Sequence, residues 1–261
     1  MSNSGTVYLV GAGPGDPELL TLKALRLIDS ADVVVYDRLV APEILAIIPP
    51  GATRIYAGKA SGRHHLPQDE INALLLKLAR AGRRVVRLKG GDPFIFGRGS
   101  EEVEFLAEAG VRFEVVPGIS AASGCASYLG IPLTHRGLAS GVRFVTGHAR
   151  DDRELNLDWQ GLADIDTTLV IYMGLGQLAE ISRRLIAAGL PASTPAAAIE
   201  RGTTAAQCRT LATLEELPAA AAGLQPPTLI VIGRVVSLAG ALDWFEADSD
   251  TEESGDVAVR A

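Results

Sequence analysis

Two glycine-rich segments, each directly behind a short β-branched run, most narrow what this chain can fold into. They are Val10-Gly11-Ala12-Gly13-Pro14-Gly15-Asp16-Pro17, after Val7 to Val10, and Arg87-Leu88-Lys89-Gly90-Gly91-Asp92-Pro93-Phe94-Ile95-Phe96-Gly97-Arg98-Gly99, after Val85 to Leu88. Each puts side-chain-poor backbone at the carboxyl end of a strand, where open α/β sheets hold their ligands. A small-molecule site is therefore expected.

The first segment departs from the Gly-x-Gly-x-x-Gly dinucleotide fingerprint, because Asp16 stands at the third glycine position and Pro14 interrupts the turn. Pro14 has no N–H to offer a pyrophosphate, and no basic residue follows the glycines. A ligand carrying adenosine without phosphates fits this wording better than a nucleotide.

At 261 residues with 48% hydrophobic content, the chain can bury one or two modest cores. Its formal charge of −7 is concentrated at one end: residues 243–261 hold seven acids and one base, leaving −1 for the rest. The last stretch, 244–261, is expected to be an acidic, disordered tail. A near-neutral body excludes a general nucleic-acid binder. Only Cys125 and Cys208 occur and no signal segment opens the sequence, so a cytoplasmic location is expected. The most apolar stretch, Val115 to Leu133, is broken by prolines, glycines and serines, so no membrane span is expected.

Short apolar runs alternate with helical patterns through the first half: Thr6 to Val10, Leu19 to Ser30, Val33 to Tyr36, Arg54 to Tyr56, Asp69 to Arg80, Val85 to Leu88, Glu101 to Ala109 and Phe113 to Val116. This is α/β alternation around a mostly parallel sheet. Pro117 to Gly141 reads as a crossing between domains, with one helix candidate from Ser120 to Leu129. The second series runs Val142 to Thr146, Thr168 to Met173, Leu178 to Ala188, Ala196 to Glu200, Ala206 to Ala212, Leu214 to Ala222 and Thr228 to Ile232. Its closely spaced strands predict more antiparallel pairing. Two α/β domains, 1–117 and 118–243, are expected.

If the first sheet is parallel, five consecutive strand ends lie on one rim and all are glycine-rich or charged: Gly11 to Asp16, Asp37-Arg38, Lys59, Lys89 to Asp92, and Pro117 to Ala121. Side chains from adjacent strand tops converge in one crevice.

These segments, together with Val35-Tyr36-Asp37-Arg38-Leu39-Val40, Val116-Pro117-Gly118-Ile119-Ser120-Ala121 and Tyr172-Met173-Gly174, resemble the tetrapyrrole methylase family. The resemblance runs from about Thr6 to about Leu242. The string from Arg87 to Glu102 points within it to the enzymes that act on uroporphyrinogen III. What the resemblance implies is a cleft between the two domains and a homodimer that transfers methyl groups from S-adenosyl-L-methionine to carbons 2 and 7 of uroporphyrinogen III. The product would be precorrin-2, shared by sirohaem, cobalamin and haem d1 assembly. Carried over residue by residue, the family's cofactor contacts fall on Pro14, Gly90, Gly91, Asp92, Ile95, Ser120, Ala121, Met173 and Gly202. Its acid/base pair falls on Asp37 as proton acceptor and Lys59 as donor.

An octacarboxylate substrate needs cations gathered locally on a body of charge −1. Arg38, Arg87, Arg98 and Arg136, with Glu101 beside Arg98, are the expected substrate residues, because arginine forks pair with carboxylates by two bonds. The four histidines have no metal-ligand spacing, and no metal is expected. Three rivals remain: another precorrin methyltransferase, a nucleotide-dependent oxidoreductase resting only on Gly11-x-Gly13, and a non-catalytic tetrapyrrole carrier. Some family members carry an additional amino-terminal module for oxidation and iron insertion. Here only about five residues precede the first strand, so methyl transfer alone is expected.

Overall fold

The computed structural model describes residues 5–58, 67–148 and 155–246. Lys59, an expected proton donor, and the chain beyond residue 246 lie outside the described residues.

The first sheet contains β1 (Thr6–Gly11), β2 (Val33–Tyr36), β3 (Thr53–Tyr56), β4 (Val85–Lys89) and β5 (Arg112–Val116). Its spatial order is β3-β2-β4-β1-β5 and every pairing is parallel. β1 and β4 are Val- and Leu-rich because both faces are covered, as parallel strands require. One face buries Val7, Leu9, Leu75 and Leu106. The other buries Val10, Ile28, Ile44 and Leu88.

Helices fill the crossovers. Thr21 caps α1 (Leu22–Asp29) by accepting the Ala24 amide. Pro42 at the first position starts α2 (Pro42–Ile47), a short helix that periodicity did not signal. α3 (Gln68–Arg80) and α4 (Gly99–Glu108) start with acids in the first turn, complementing the helix dipole.

The second sheet contains β6 (Gly141–Thr146), β7 (Thr167–Tyr172), β8 (Pro195–Glu200), β9 (Cys208–Thr213) and β10 (Thr228–Ile232), in the order β6-β7-β10-β8-β9. Only β6 and β7 pair in parallel; the other three pairings are antiparallel. That is the mixed arrangement expected from the close spacing of the later strands. α5 (Ala121–Tyr128) packs on one face through Ala122, Cys125 and Ala126. α7 (Leu178–Ala187) packs on the other, which also receives the short helices α6 (Trp159–Leu162) and α8 (Leu217–Ala220). No helix among the described residues is long and apolar enough to cross a membrane.

Strand order places the site. β1 lies between β4 and β5, so the residues that follow all three strands are neighbours although they are far apart in sequence. β2 flanks β4 on its other side, bringing Asp37 next to the end of β4.

Candidate functional site

Four glycines, Gly11, Gly13, Gly91 and Gly118, form the floor of the rim. Gly13 and Gly91 exchange backbone hydrogen bonds: Gly91 donates to Gly13 O at 2.7 Å and Gly13 donates to Gly91 O at 3.2 Å. Gly118 then lies against both segments. A Cβ on Gly11 would stand 2.5 Å from the Gly118 nitrogen, and one on Gly118 would run into the Gly91 carbonyl. Three backbones meet here because none carries a side chain. Asp92 secures the junction, accepting the Phe94 amide at 2.9 Å on Oδ1 and the Gly118 amide at 3.2 Å on Oδ2.

Helix α5 joins this floor to the second sheet. Ser120 caps it by accepting the Ser123 amide, and Ala121 N faces Gly91. The Tyr172 hydroxyl accepts the Ala122 amide at 2.9 Å. On the other side of the helix, Gly124 leaves room only for the Pro14 ring, and Gly202 leaves room only for the Cys125 side chain. The loop after β1 is held from the second sheet as well: Asp16 N donates to Thr203 Oγ1 at 3.1 Å, and Tyr128 donates to the Asp16 carboxylate. Burial pushes the Tyr128 phenol up to about 12, helped by its bond to Asp16.

The structure thus brings Pro14, Gly91, Asp92, Ser120, Ala121 and Gly202 around one short helix. Gly90 and Ile95 flank Asp92 in the same turn, where Ile95 N donates to Asp92 O. Met173 follows Tyr172 in a left-handed conformation (φ 55°) and is half exposed. Tyr172 and Phe96 were not singled out by residue type alone. Their rings pack at 4.9 Å, and Phe96 is likewise left-handed.

Beside the glycine floor lies a buried ionic cluster. Asp37 is a quarter exposed, and its Oδ2 lies 3.4 Å from Arg87 Nη2. Arg87 is 3% exposed, with Nε 3.3 Å from the Glu102 carboxylate and Nη1 donating to Leu88 O. Glu102 is fully buried and also takes Lys89 Nζ at 3.0 Å and Gln68 Nε2 at 3.2 Å. Burial, reinforced by the adjacent Arg87 charge, pulls the Lys89 ammonium below the usual lysine range. Removing one partner from such a cluster typically costs about 3–5 kcal/mol, because an unpaired charge is left buried.

This cluster engages one of the expected substrate residues. Arg87 was expected at the substrate, but its donors are directed inward to Glu102, Leu88 and Asp37. Arg87 is itself buried within β4, and it reaches the rim only through its Nη2 contact with Asp37. Arg98 does present itself: it is exposed, left-handed (φ 57°), and paired to Glu101 by two bonds at 2.8 and 2.6 Å. The Glu101 bond holds the Arg98 guanidinium above its usual range. Arg38 is exposed beside Asp37. Arg136 is elsewhere, in a surface groove with Asp166 and Arg234 at the opposite end of β6 and β7 from Tyr172.

The family model described as Tetrapyrrole (Corrin/Porphyrin) Methylases matches residues 6–218. A siroheme synthase of Nitrosomonas eutropha is 58% identical over 249 residues, which cover 95% of this chain and 52% of that protein. The chain thus spans about half the length of the curated relatives it matches. The solved structure of uroporphyrin-III C-methyl transferase from Thermus thermophilus, complexed with S-adenyl homocysteine, superposes with a TM-score of 0.77 at 45% identity. It covers 90% of this chain and 94% of that one. A cobalt precorrin-4 methyltransferase superposes with a TM-score of 0.79 at 28% identity, covering 88% and 95%.

Proposed function

We propose that this chain, which belongs to the tetrapyrrole (corrin/porphyrin) methylases, transfers methyl groups from S-adenosyl-L-methionine to carbons 2 and 7 of uroporphyrinogen III, yielding precorrin-2. The observation that carries this reading is the meeting, on one rim, of a glycine floor with an exposed arginine fork and a mostly covered carboxylate. Fold likeness does not separate this substrate from a later precorrin, since both neighbours superpose equally well. Sequence favours uroporphyrinogen III, at 45% identity against 28%.

The residues fit the methyl donor. Close backbone approach at Gly11, Gly91 and Gly118 suits a flat adenosine, and the floor offers no cationic side chain for phosphates. Pro14, Gly90, Gly91, Asp92, Ile95, Ser120, Ala121, Met173 and Gly202 would hold it. When bound, it supplies a sulfonium-activated methyl group, so positioning accounts for most of the rate gain.

The remaining work falls to side chains on the rim. Asp37 accepts the proton that the macrocycle releases after methylation, within reach of solvent through its exposed quarter. Lys59 serves as the proton donor. Arg98 and Arg38 clamp substrate carboxylates, with Arg98 exchanging its Glu101 partner for the ligand. A homodimer is the working assembly on this reading, and Arg136, which lies away from this rim within one chain, is the remaining candidate for a substrate carboxylate.

The decisive experiment incubates the 261-residue chain with uroporphyrinogen III and methyl-labelled S-adenosylmethionine and counts methyls on the product. Two per macrocycle are expected. No transfer to uroporphyrinogen III alongside transfer to a later precorrin would assign the chain to a neighbouring step, and NAD binding without S-adenosylhomocysteine binding would make it an oxidoreductase.

A further inference from the structure

Glu102 is the most deeply buried ionisable group beside the site, and the proposed chemistry gives it no part. It lies in the first turn of α4, directly after the exposed Arg98–Glu101 pair, yet it points inward to the ends of β4. One of its oxygens, Oε1, collects Arg87 Nε at 3.3 Å, Lys89 Nζ at 3.0 Å and Gln68 Nε2 at 3.2 Å. Gln68 is itself held by α3, whose Asn72 accepts a second bond from the same amide at 3.1 Å. The other oxygen, Oε2, accepts no hydrogen bond among the described residues.

We infer that Glu102 is a positioning residue: it anchors the Arg87 guanidinium, which in turn orients the Asp37 carboxylate toward the rim. This rests on the proposed function, in which Asp37 takes a proton. The contacts form a line from Glu102 through Arg87 to Asp37 Oδ2, while Asp37 Oδ1 is fixed separately by the Leu39 amide at 3.1 Å. Without the Glu102 charge, Asp37 is the remaining carboxylate within reach of Arg87. The guanidinium, already 3.4 Å from Asp37 Oδ2, is then free to close on that oxygen and compete with its proton. Lys89 supplies the second positive charge, so that two cations and two carboxylates balance inside the cluster.

The test uses the full chain and a double-mutant cycle of Asp37→Asn and Glu102→Gln, with kcat on uroporphyrinogen III and S-adenosylhomocysteine affinity as readouts. Glu102→Gln is expected to lower kcat at least about ten-fold while leaving the affinity within about two-fold, and the double variant to be no slower than Asp37→Asn. Wild-type kcat in Glu102→Gln, or losses that multiply in the double variant, would overturn the inference. Should Glu102→Gln fail to fold, Lys89→Met/Glu102→Gln keeps the cluster neutral. The same kcat loss is expected there, and wild-type kcat would show that Glu102 only balances charge. A readout independent of activity is the Nε–H resonance of Arg87 in arginine-labelled protein, assigned with Arg87→Lys. It should be protected from exchange in wild type and Asp37→Asn and lose protection in Glu102→Gln. Retained protection in Glu102→Gln sinks the inference even if the chain transfers no methyl to uroporphyrinogen III, an outcome that by itself refutes only the functional reading.

Discussion

The phenol oxygen of Tyr172 accepts the Ala122 amide at 2.9 Å and so pins the last residue of β7 to the first turn of α5. That one bond joins the second sheet to the helix on which Ser120 and Ala121 face the glycine floor. Tyr172→Phe removes the acceptor and leaves the partly buried amide unsatisfied, which costs about 1–3 kcal/mol. A lower melting temperature and weaker S-adenosylhomocysteine binding by calorimetry are expected together. A variant that melts earlier but binds normally would confine the bond to stability.

Gly118→Ala tests the glycine floor directly. Its Cβ would meet the carbonyl of Gly91 and the backbone of Gly11, so the strand-end loops must separate, at a cost of about 1–3 kcal/mol. The affinity for S-adenosylhomocysteine should fall at least about ten-fold, since the loops that separate are the ones expected to line the ligand. Gly223→Ala, with nothing near its Cβ, is the control and should bind as the parent does.

Asp37→Asn keeps the shape of the rim and removes the proposed proton acceptor. General-base loss of this kind costs roughly 10²–10⁴ in rate. The expected result is a collapse in kcat with unchanged S-adenosylhomocysteine affinity, read by radiolabel transfer and calorimetry on the same preparation. A variant that turns over at the parental rate would remove Asp37 from the chemistry.

Arg98→Ala should act on the tetrapyrrole and spare the methyl donor. The guanidinium is half exposed and its pairing with Glu101 is solvent-screened, so little stability is at stake. Loss of a bidentate carboxylate contact predicts a KM for uroporphyrinogen III raised about ten-fold or more. An unchanged KM would show that the fork serves only to pair with Glu101.

The two cysteines should behave oppositely. Cys125 is buried against Gly202, and burial pushes its thiol up to about 12, whereas Cys208 is exposed. A thiol reagent should therefore label one cysteine per native chain and two after denaturation. Because the folded value lies above the ordinary 9.0, the native chain keeps a proton that the unfolded chain releases. That contribution to stability is complete below about pH 9 and is lost as pH rises toward 12. Cys125→Ala should flatten the alkaline fall in melting temperature relative to the parent.

The division between sequence and structure can be read from individual residues. Short apolar runs bounded by turn residues marked each of the ten strands among the described residues, because periodicity and turn chemistry are local properties. The six-residue α2 escaped because it is too short to show a period, and its proline start read as loop. Asp37 and the glycine words stand out in the sequence because they follow strands, and Arg98 because it precedes a helix, where side chains are not needed for the core. The partners of Arg87 were not legible: its neighbours mark it as rim, and only the packing of α4 on β4 shows that it bridges Glu102 and Asp37. Glu102 itself gave no signal, since one of two adjacent acids at a helix start reads as a solvated face. By itself the sequence determined the α/β class, the rim and the chemistry of a phosphate-free pocket. Only the tertiary structure decided which strand ends touch, because the order β3-β2-β4-β1-β5 is set by packing between segments that no local pattern connects.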